Sequence, residues 1–168
     1  MSKYEIDHRI PNALIDGILS DLSKVNIKDY NQLFCYSYKV AGTVGLMMCD
    51  IMGVKENSLK FNAIYLGIAM QLTNISRDVK EDLLRDRIYI PKEIRVHVKN
   101  DLHEIPLSDK LQREFSKDLK KLIDTSDIIY DLAWEGIIKL PLKYRFPIAI
   151  ASFLYLSLIH ISEPTRRT

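Results

Sequence analysis

Hydrophobic residues recur at helical spacing through nearly the whole chain, and this pattern restricts the fold more than any other feature. In the segment Ala13–Val25, for example, Leu14, Ile18 and Leu22 are each four residues apart and share one helix face. No long stretch shows the alternation of polar and apolar residues that is typical of a half-buried strand. The chain is therefore predicted to be all-α, and 168 residues suffice for one domain with its own core.

Start and stop signals divide the chain into five predicted helices. Pro11 and Asn12 precede the first helix, Gly53 ends the second, and Pro91 favours extended backbone just after the third. After a loop, Ser108 is a candidate N-cap for the fourth helix. The predicted helices are Ala13–Val25, Tyr30–Met52, Asn57–Arg85, residues 110–139 and Tyr144–Ile159.

The second predicted helix contains two glycines and two cysteines. Gly42 and Gly45 each weaken a helix by about 1 kcal/mol relative to alanine, so something is expected to approach the backbone closely there, a packed helix being the simplest candidate. Cys35 and Cys49 are about 21 Å apart along a helix, which is beyond disulfide reach. They are predicted to be reduced core thiols, which indicates a cytoplasmic protein.

Several classes of function are not supported by the composition. The net charge is only +2, and basic residues alternate with acidic ones, so no nucleic-acid partner is expected. The most apolar stretch, Ile148–Ile159, has about twelve residues where a transmembrane helix needs about 20, and no transmembrane segment is predicted. Peripheral contact with a membrane surface stays open if the substrate is a lipid. Zinc-type ligand spacing and nucleotide-binding glycine motifs are absent from the sequence.

The third predicted helix carries a narrow stripe of polar side chains. At about 100° per residue, five of them fall within about 90° of one another: Gln71, Asn74, Asp78, Asp82 and Arg85. Carboxylate and amide oxygens one helical turn apart are suited to holding Mg²⁺ against phosphates. The alternative is a solvated helix with ion pairs such as Arg77–Glu81, although two aspartates at i and i+4 would then repel each other.

A second candidate surface lies on the helix Tyr30–Met52. Tyr36, Val40 and Thr43 share one narrow face of that helix. On spacing alone, ordinary core packing and an apolar groove for a hydrocarbon substrate both remain open. In the second case an aromatic ring could stabilise a cation.

Two long segments resemble the two signatures of the squalene and phytoene synthase family. They are YSYKVAGTVGLM at residues 36–47 and LGIAMQLTNISRDVKEDLLRDRIYIP at residues 66–91. LIDGILSDL at residues 14–22 and EGIIKLP with YRFPIAIASFLYL nearer the end are also similar in order and spacing. The resemblance implies an all-α, isoprenoid synthase-type helical bundle that condenses two prenyl diphosphates head to head with Mg²⁺.

The resemblance also implies roles for individual residues. DVKED at residues 78–82 matches the family's second aspartate-rich motif. Asn74, Asp78 and Asp82 are therefore expected to bind the metal, and Tyr36, Asp78 and Asp82 to act in catalysis. The residues expected to contact the substrate are Gln71, Arg77 and Tyr155, to which the polar stripe adds Arg85.

The resemblance extends from about residue 10 to residue 158 and has two departures. The family's first aspartate-rich motif is expected upstream of LIDGILSDL, and the thirteen residues there do not contain it. The ending ISEPTRRT also differs from the family. We therefore expect residues 1–158 to be the C-terminal part of such a domain, with the N-terminal helices missing, and residues 159–168 to be a foreign tail.

The expected function is condensation of two geranylgeranyl diphosphates to phytoene, with the isolated chain inactive. One alternative is a squalene or dehydrosqualene synthase that uses farnesyl diphosphate. The other is a non-catalytic helical interaction module, in which the acidic stripe is a solvated face.

Overall fold

The computed structural model describes residues 6–96 and 109–161; for residues 109–112 and 159–161 it describes the backbone only. Within these ranges the chain is almost entirely helical, as predicted. The helices are α1 (Arg9–Ser20), α2 (Tyr30–Ser37), α3 (Thr43–Met52), α4 (Asn57–Arg77), α5 (Val79–Leu84), α6 (Asp109–Ile137) and α7 (Leu142–Ile161). A π-helical turn, Tyr38–Gly42, joins α2 to α3.

Helix α4 is the centre of the fold. It packs most extensively against α6 and also contacts α3 and α7. Leu72 of α4, Leu122 of α6 and Leu33 of α2 are fully buried in the core between them. One pair of polar groups inside this core is hydrogen-bonded: the hydroxyl oxygens of Thr73 and Tyr130 are 3.0 Å apart.

Two very short strands make the sequence-distant contact that positions the site. Strand β1 (Val25–Asn26) and strand β2 (Arg87–Ile88) pair in parallel, with Val25 opposite Arg87. The pairing ties the connection after α1 to the segment after α5. It was not predicted, because two-residue strands leave no periodic signal.

Helix α1 is shifted from its predicted position, Ala13–Val25. It begins at Arg9 and includes Pro11 in its first turn, where a missing backbone N–H removes no hydrogen bond. It ends at Ser20, and Asp21 is its C-cap. Val25 is drawn into strand β1 instead.

The predicted helix Tyr30–Met52 is present but contains the π-helical turn. Thr43 N–H donates to the Tyr38 carbonyl five residues back, and the wider turn changes the helical phase. Thr43 is consequently fully buried and bonded to the Lys39 carbonyl, rather than sharing a surface with Tyr36.

The glycine prediction is confirmed as close packing between helices. A Cβ atom on Gly42 would come within 3.2 Å of the Ile64 side chain of α4, and one on Gly45 of α3 would overlap the Ala63 carbonyl. A third glycine, Gly67 of α4, was not predicted, and a Cβ atom there would overlap the Ala41 carbonyl. Glycines on facing elements thus let the two helical segments approach each other closely.

Other predictions have mixed outcomes. Both cysteines are free thiols, but only Cys49 is buried, and the prediction of a core position for Cys35 is wrong because its side chain is exposed. Ser108 and residues 162–168 of the expected tail lie outside the described residues. No helix in the described part of the chain is long and apolar enough to cross a membrane.

Candidate functional site

The predicted polar stripe borders a cleft with a volume of about 230 Å³. Most of the site residues predicted from the sequence lie along it: Tyr36, Gln71, Asn74, Arg77, Asp78 and Asp82. The structure adds three further polar residues to the walls, Asp21, Arg87 and Tyr89, and one apolar residue, Ile75. Four elements therefore meet here: the end of α1, helix α2, the α4–α5 junction and strand β2 with the residue after it.

The α4–α5 junction explains why one predicted residue is absent from the cleft. We predicted one helix from Asn57 to Arg85, but Asp78 leaves the helical conformation (φ −97°, ψ 16°) and a new short helix begins at Val79. Arg85 is then the exposed C-cap of α5 and does not line the cleft. The left-handed Asp86 (φ 57°) reverses the chain, and Arg87 takes the place in the wall that was predicted for Arg85.

Two carboxylates of the cleft influence each other electrostatically. Asp78 accepts two hydrogen bonds of 2.6 Å from the Arg77 guanidinium. Burial, and next the charge of Asp78, raise the pKa of Asp82 to about 6, while Arg87 and Arg85 act in the opposite direction. Three carboxylates and two guanidinium groups line the cleft, and this excess of acidic groups favours a cation there.

Asn74 supplies a buried oxygen without a partner. Its amide nitrogen donates to Gln71 Oε1 over 3.4 Å, whereas its Oδ1 atom is buried and has no hydrogen-bond partner among the described residues. A buried acceptor in this state is costly unless a ligand satisfies it. The residue predicted to bind a metal therefore has the free oxygen that the prediction requires.

An aspartate between two tyrosines forms the opposite wall. Tyr36 donates its hydroxyl hydrogen to Asp21 Oδ2 (3.0 Å), and Tyr89 donates to Asp21 Oδ1 (2.7 Å). The two rings are stacked, with centroids 4.8 Å apart. Burial raises the pKa of Tyr89 to about 12 and also raises that of Tyr36, so both phenols are protonated at neutral pH.

An apolar groove of about 370 Å³ adjoins the cleft. Helices α3, α4, α6 and α7 and the π-helical turn form its walls, largely through aliphatic side chains such as Val40, Met48 and Met52. Tyr155, a predicted substrate contact, lies in the wall contributed by α7. Gln71 and Asn74 line both the groove and the cleft, so the polar and apolar spaces meet at these two side chains.

The oxygen atoms of the cleft fit Mg²⁺ in their chemistry, but they do not form a complete cage. Within the described residues no group of three or more histidine, cysteine, aspartate or glutamate side chains is placed to hold a metal ion. Mg²⁺ is usually bound through one or two carboxylates, with substrate phosphates and water completing its shell. Asp78, Asp82 and the unpaired oxygen of Asn74 are an appropriate donor set for that mode.

Comparison with known proteins agrees with this geometry. The squalene/phytoene synthase family model matches residues 1–160. The chain belongs to this family. Its sequence-based resemblance to the family and its fold class are both confirmed, and the family consists of prenyltransferases of the phytoene and squalene synthase type.

Several relatives with curated names are chloroplastic phytoene synthases of plants. The chain is 35% identical over 167 residues to the chloroplastic phytoene synthase of Narcissus pseudonarcissus, covering 92% of this chain and 38% of that protein. It is 34% identical over 169 residues to that of Daucus carota, covering 97% and 42% respectively. The chain thus spans about two fifths of the length of these relatives.

Solved structures show the same helical fold. A squalene synthase from Alicyclobacillus acidocaldarius superimposes with a TM-score of 0.79 at 18% identity, covering 93% of this chain and 59% of that one. A dehydrosqualene synthase in complex with a ligand gives a TM-score of 0.80 at 26% identity, covering 95% and 56%.

Asp21, Arg87 and Tyr89 were missed by the sequence analysis. The position of Asp21 is a weak signal of a functional role. A helix C-terminus disfavours a negative charge, so an aspartate there is not explained by helix stability. Arg87 and Tyr89 lie in the family-like segment 66–91, but helical periodicity gave no signal for them, since their place depends on the break at Asp78 and on the pairing of β1 with β2.

Proposed function

We propose that this chain provides the metal-binding and prenyl-binding walls of a phytoene synthase, which condenses two geranylgeranyl diphosphates head to head with Mg²⁺. One observation carries the proposal: a carboxylate-bearing cleft and an apolar groove meet at Gln71 and Asn74. A prenyl diphosphate has the same division into a charged head and a hydrocarbon tail. Family membership and relatives named phytoene synthase support the choice.

Different residues would bind the diphosphate end and the prenyl end of the substrate. Asp78, Asp82 and Asn74 would hold Mg²⁺, which supplies positive charge to stabilise the departing diphosphate. Arg77 and Arg87 lie where their guanidinium groups can bind phosphate oxygens. The groove would exclude water from the prenyl chain. Tyr36 and Tyr89 line the cleft, where aromatic side chains would stabilise the positive charge that develops on the substrate.

Two residue assignments remain predictions within this proposal. One is the catalytic role of Tyr36, Asp78 and Asp82, and the other is substrate contact by Gln71 and Tyr155. Arg85 is not retained, because Arg87 occupies the corresponding part of the wall. Cytoplasmic location and peripheral membrane contact also remain predictions, and the chloroplastic location belongs to the names of the plant relatives.

A second candidate is a dehydrosqualene or squalene synthase that uses farnesyl diphosphate. The solved structures with this fold favour it, and one of them is a dehydrosqualene synthase 26% identical to this chain. Binding of geranylgeranyl against farnesyl thiodiphosphate separates the two candidates. The helical interaction module is favoured by no observation, since its solvated acidic face does not account for a buried, unpaired oxygen on Asn74.

The test is binding of geranylgeranyl thiodiphosphate, an analogue that does not ionise readily, measured by calorimetry with and without Mg²⁺. Binding should need Mg²⁺, and Asp78→Ala should weaken it at least about tenfold. Asp131→Ala, which removes an exposed aspartate of α6, is the matched control and should change nothing. Equal binding with and without Mg²⁺, or no effect of Asp78→Ala, would overturn the proposal.

Catalysis by the isolated chain is a separate question. We expect it to bind substrate without turnover, and an assay with geranylgeranyl diphosphate and Mg²⁺ tests this directly. Release of diphosphate by the isolated chain would refute the expectation of inactivity while leaving the proposed function intact.

A further inference from the structure

The carboxylate of Asp21 is placed unlike the other acidic groups of the cleft. It is the C-cap of α1, where the partial negative charge of the helix end disfavours an anion. No basic residue lies in the last turn of α1 to offset this cost. Arg87 donates to the backbone carbonyl of Asp21 over 2.7 Å. A carboxylate kept at a helix C-terminus, with only a side chain from a distant segment to offset its charge, points to a role in the cleft wall.

Both oxygens of this carboxylate accept hydrogen bonds from phenols of the same wall. Tyr36 donates to one and Tyr89 to the other, at 3.0 and 2.7 Å. A phenol has a single hydrogen to donate, so these bonds fix the orientation of both hydroxyl groups. With its hydrogen committed to Asp21, the Tyr36 hydroxyl has only the lone pairs of its oxygen left for a group in the cleft.

We propose that Asp21 is a positioning residue: it orients Tyr36 and Tyr89 so that electron density, and no O–H donor, faces the prenyl carbon atoms that become positively charged. This inference rests on the proposed function. Without the carboxylate, each phenol could rotate its hydrogen into the cleft, where a positive hydrogen would repel a developing cation. The stacked pair, with ring centroids 4.8 Å apart, would also lose its common anchor.

The experiment compares two ligands that differ in charge at the prenyl end. Geranylgeranyl thiodiphosphate is neutral there, whereas its 3-aza analogue carries an ammonium at the position of the allylic cation. Binding in Mg²⁺ can be followed by fluorescence of Trp134, the single tryptophan of the sequence. Trp134 packs on Phe153 and is adjacent in α6 to the groove residue Ala133.

Asp21→Asn should weaken binding of the aza analogue about tenfold, which is the size of a partly desolvated cation–π interaction. It should change binding of the neutral thiodiphosphate less than about twofold. Asp21→Glu, which keeps a carboxylate, should recover part of the preference for the cation. Asp16→Asn removes an exposed aspartate of the same helix and should affect neither ligand.

A double-mutant cycle separates positioning from simple charge attraction. In a Tyr36→Phe/Tyr89→Phe background, Asp21→Asn should have little further effect, because the hydroxyls through which it acts are gone. If the full loss for the aza analogue persists in that background, Asp21 acts by its charge alone and the inference is wrong. Equal weakening of both ligands by Asp21→Asn in the parent chain would assign it a structural role only and also overturn the inference.

Failure of the proposed function has a different signature. In that case the parent chain would bind neither ligand in a Mg²⁺-dependent way, and both proposals would fall together. Mg²⁺-dependent binding of both ligands by the parent chain, with no selective effect of Asp21→Asn, would remove the positioning role alone.

Discussion

Individual side chains in the site were predicted where local periodicity decides their place. Gln71 and Asn74 lie on the continuous helix α4 and were predicted correctly to border one surface. Arg85 was not, because the helix breaks at Asp78 before reaching it. Asp21 is bonded to Tyr89, which is 68 positions away in sequence, and no pattern within one helix encodes such a contact.

Arg87 lines the cleft where Arg85 had been predicted, and this difference gives a prediction with an internal control. Arg87→Met should weaken binding of Mg²⁺-diphosphate about tenfold, because a charge-assisted hydrogen bond to a phosphate oxygen is lost. Arg85→Met removes the same charge from an exposed position outside the cleft and should have an effect below about twofold. Calorimetric titration of both variants measures this. Equal losses in the two would mean that the helix break does not decide which arginine meets the ligand.

Whole elements were predicted with more success than their ends. The amphipathic pattern of the first segment and the Gly53 stop signal are local, and helices were found there, the second ending at Met52 with Gly53 at φ 74°. The start and end of α1 were wrong because a proline is tolerated in a first turn and because β1 pairs with β2. The π-helical turn leaves no recognisable pattern in one sequence.

The close contact between α3 and α4 predicts whether Gly45→Ala stabilises or destabilises the chain. On helix propensity alone, Gly45→Ala should stabilise the chain by about 1 kcal/mol. Because the added methyl group would overlap the Ala63 carbonyl, we expect destabilisation by about 2 kcal/mol instead, as for other overpacked sites. Urea unfolding followed by circular dichroism measures it. A more stable Gly45→Ala variant would contradict the close approach of the two helices.

At the scale of the whole molecule, the fold places the charged cleft and the apolar groove end to end along α4. The cleft surrounds the C-terminal part of this helix, and the groove extends toward Leu59 near its beginning. Leu59 and Asn74 are separated by about 22 Å of helix. Several apolar side chains outside the groove also remain exposed, including Ile18 of α1, Leu22 just after that helix, and Phe146 and Leu154 of α7.

The central claim is that the cleft and the groove bind one molecule together, and methyl NMR of the methionines tests it most directly. Met48, Met52 and Met70 line the groove but are not among the cleft residues. Their signals should shift on adding geranylgeranyl thiodiphosphate. The ligand concentration that gives half of the full shift should be at least about tenfold lower when Mg²⁺ is present. Inorganic diphosphate with Mg²⁺ should leave them unchanged. If the ligand concentration at half of the full shift is the same with and without Mg²⁺, the cleft and the groove act independently and the claim is contradicted.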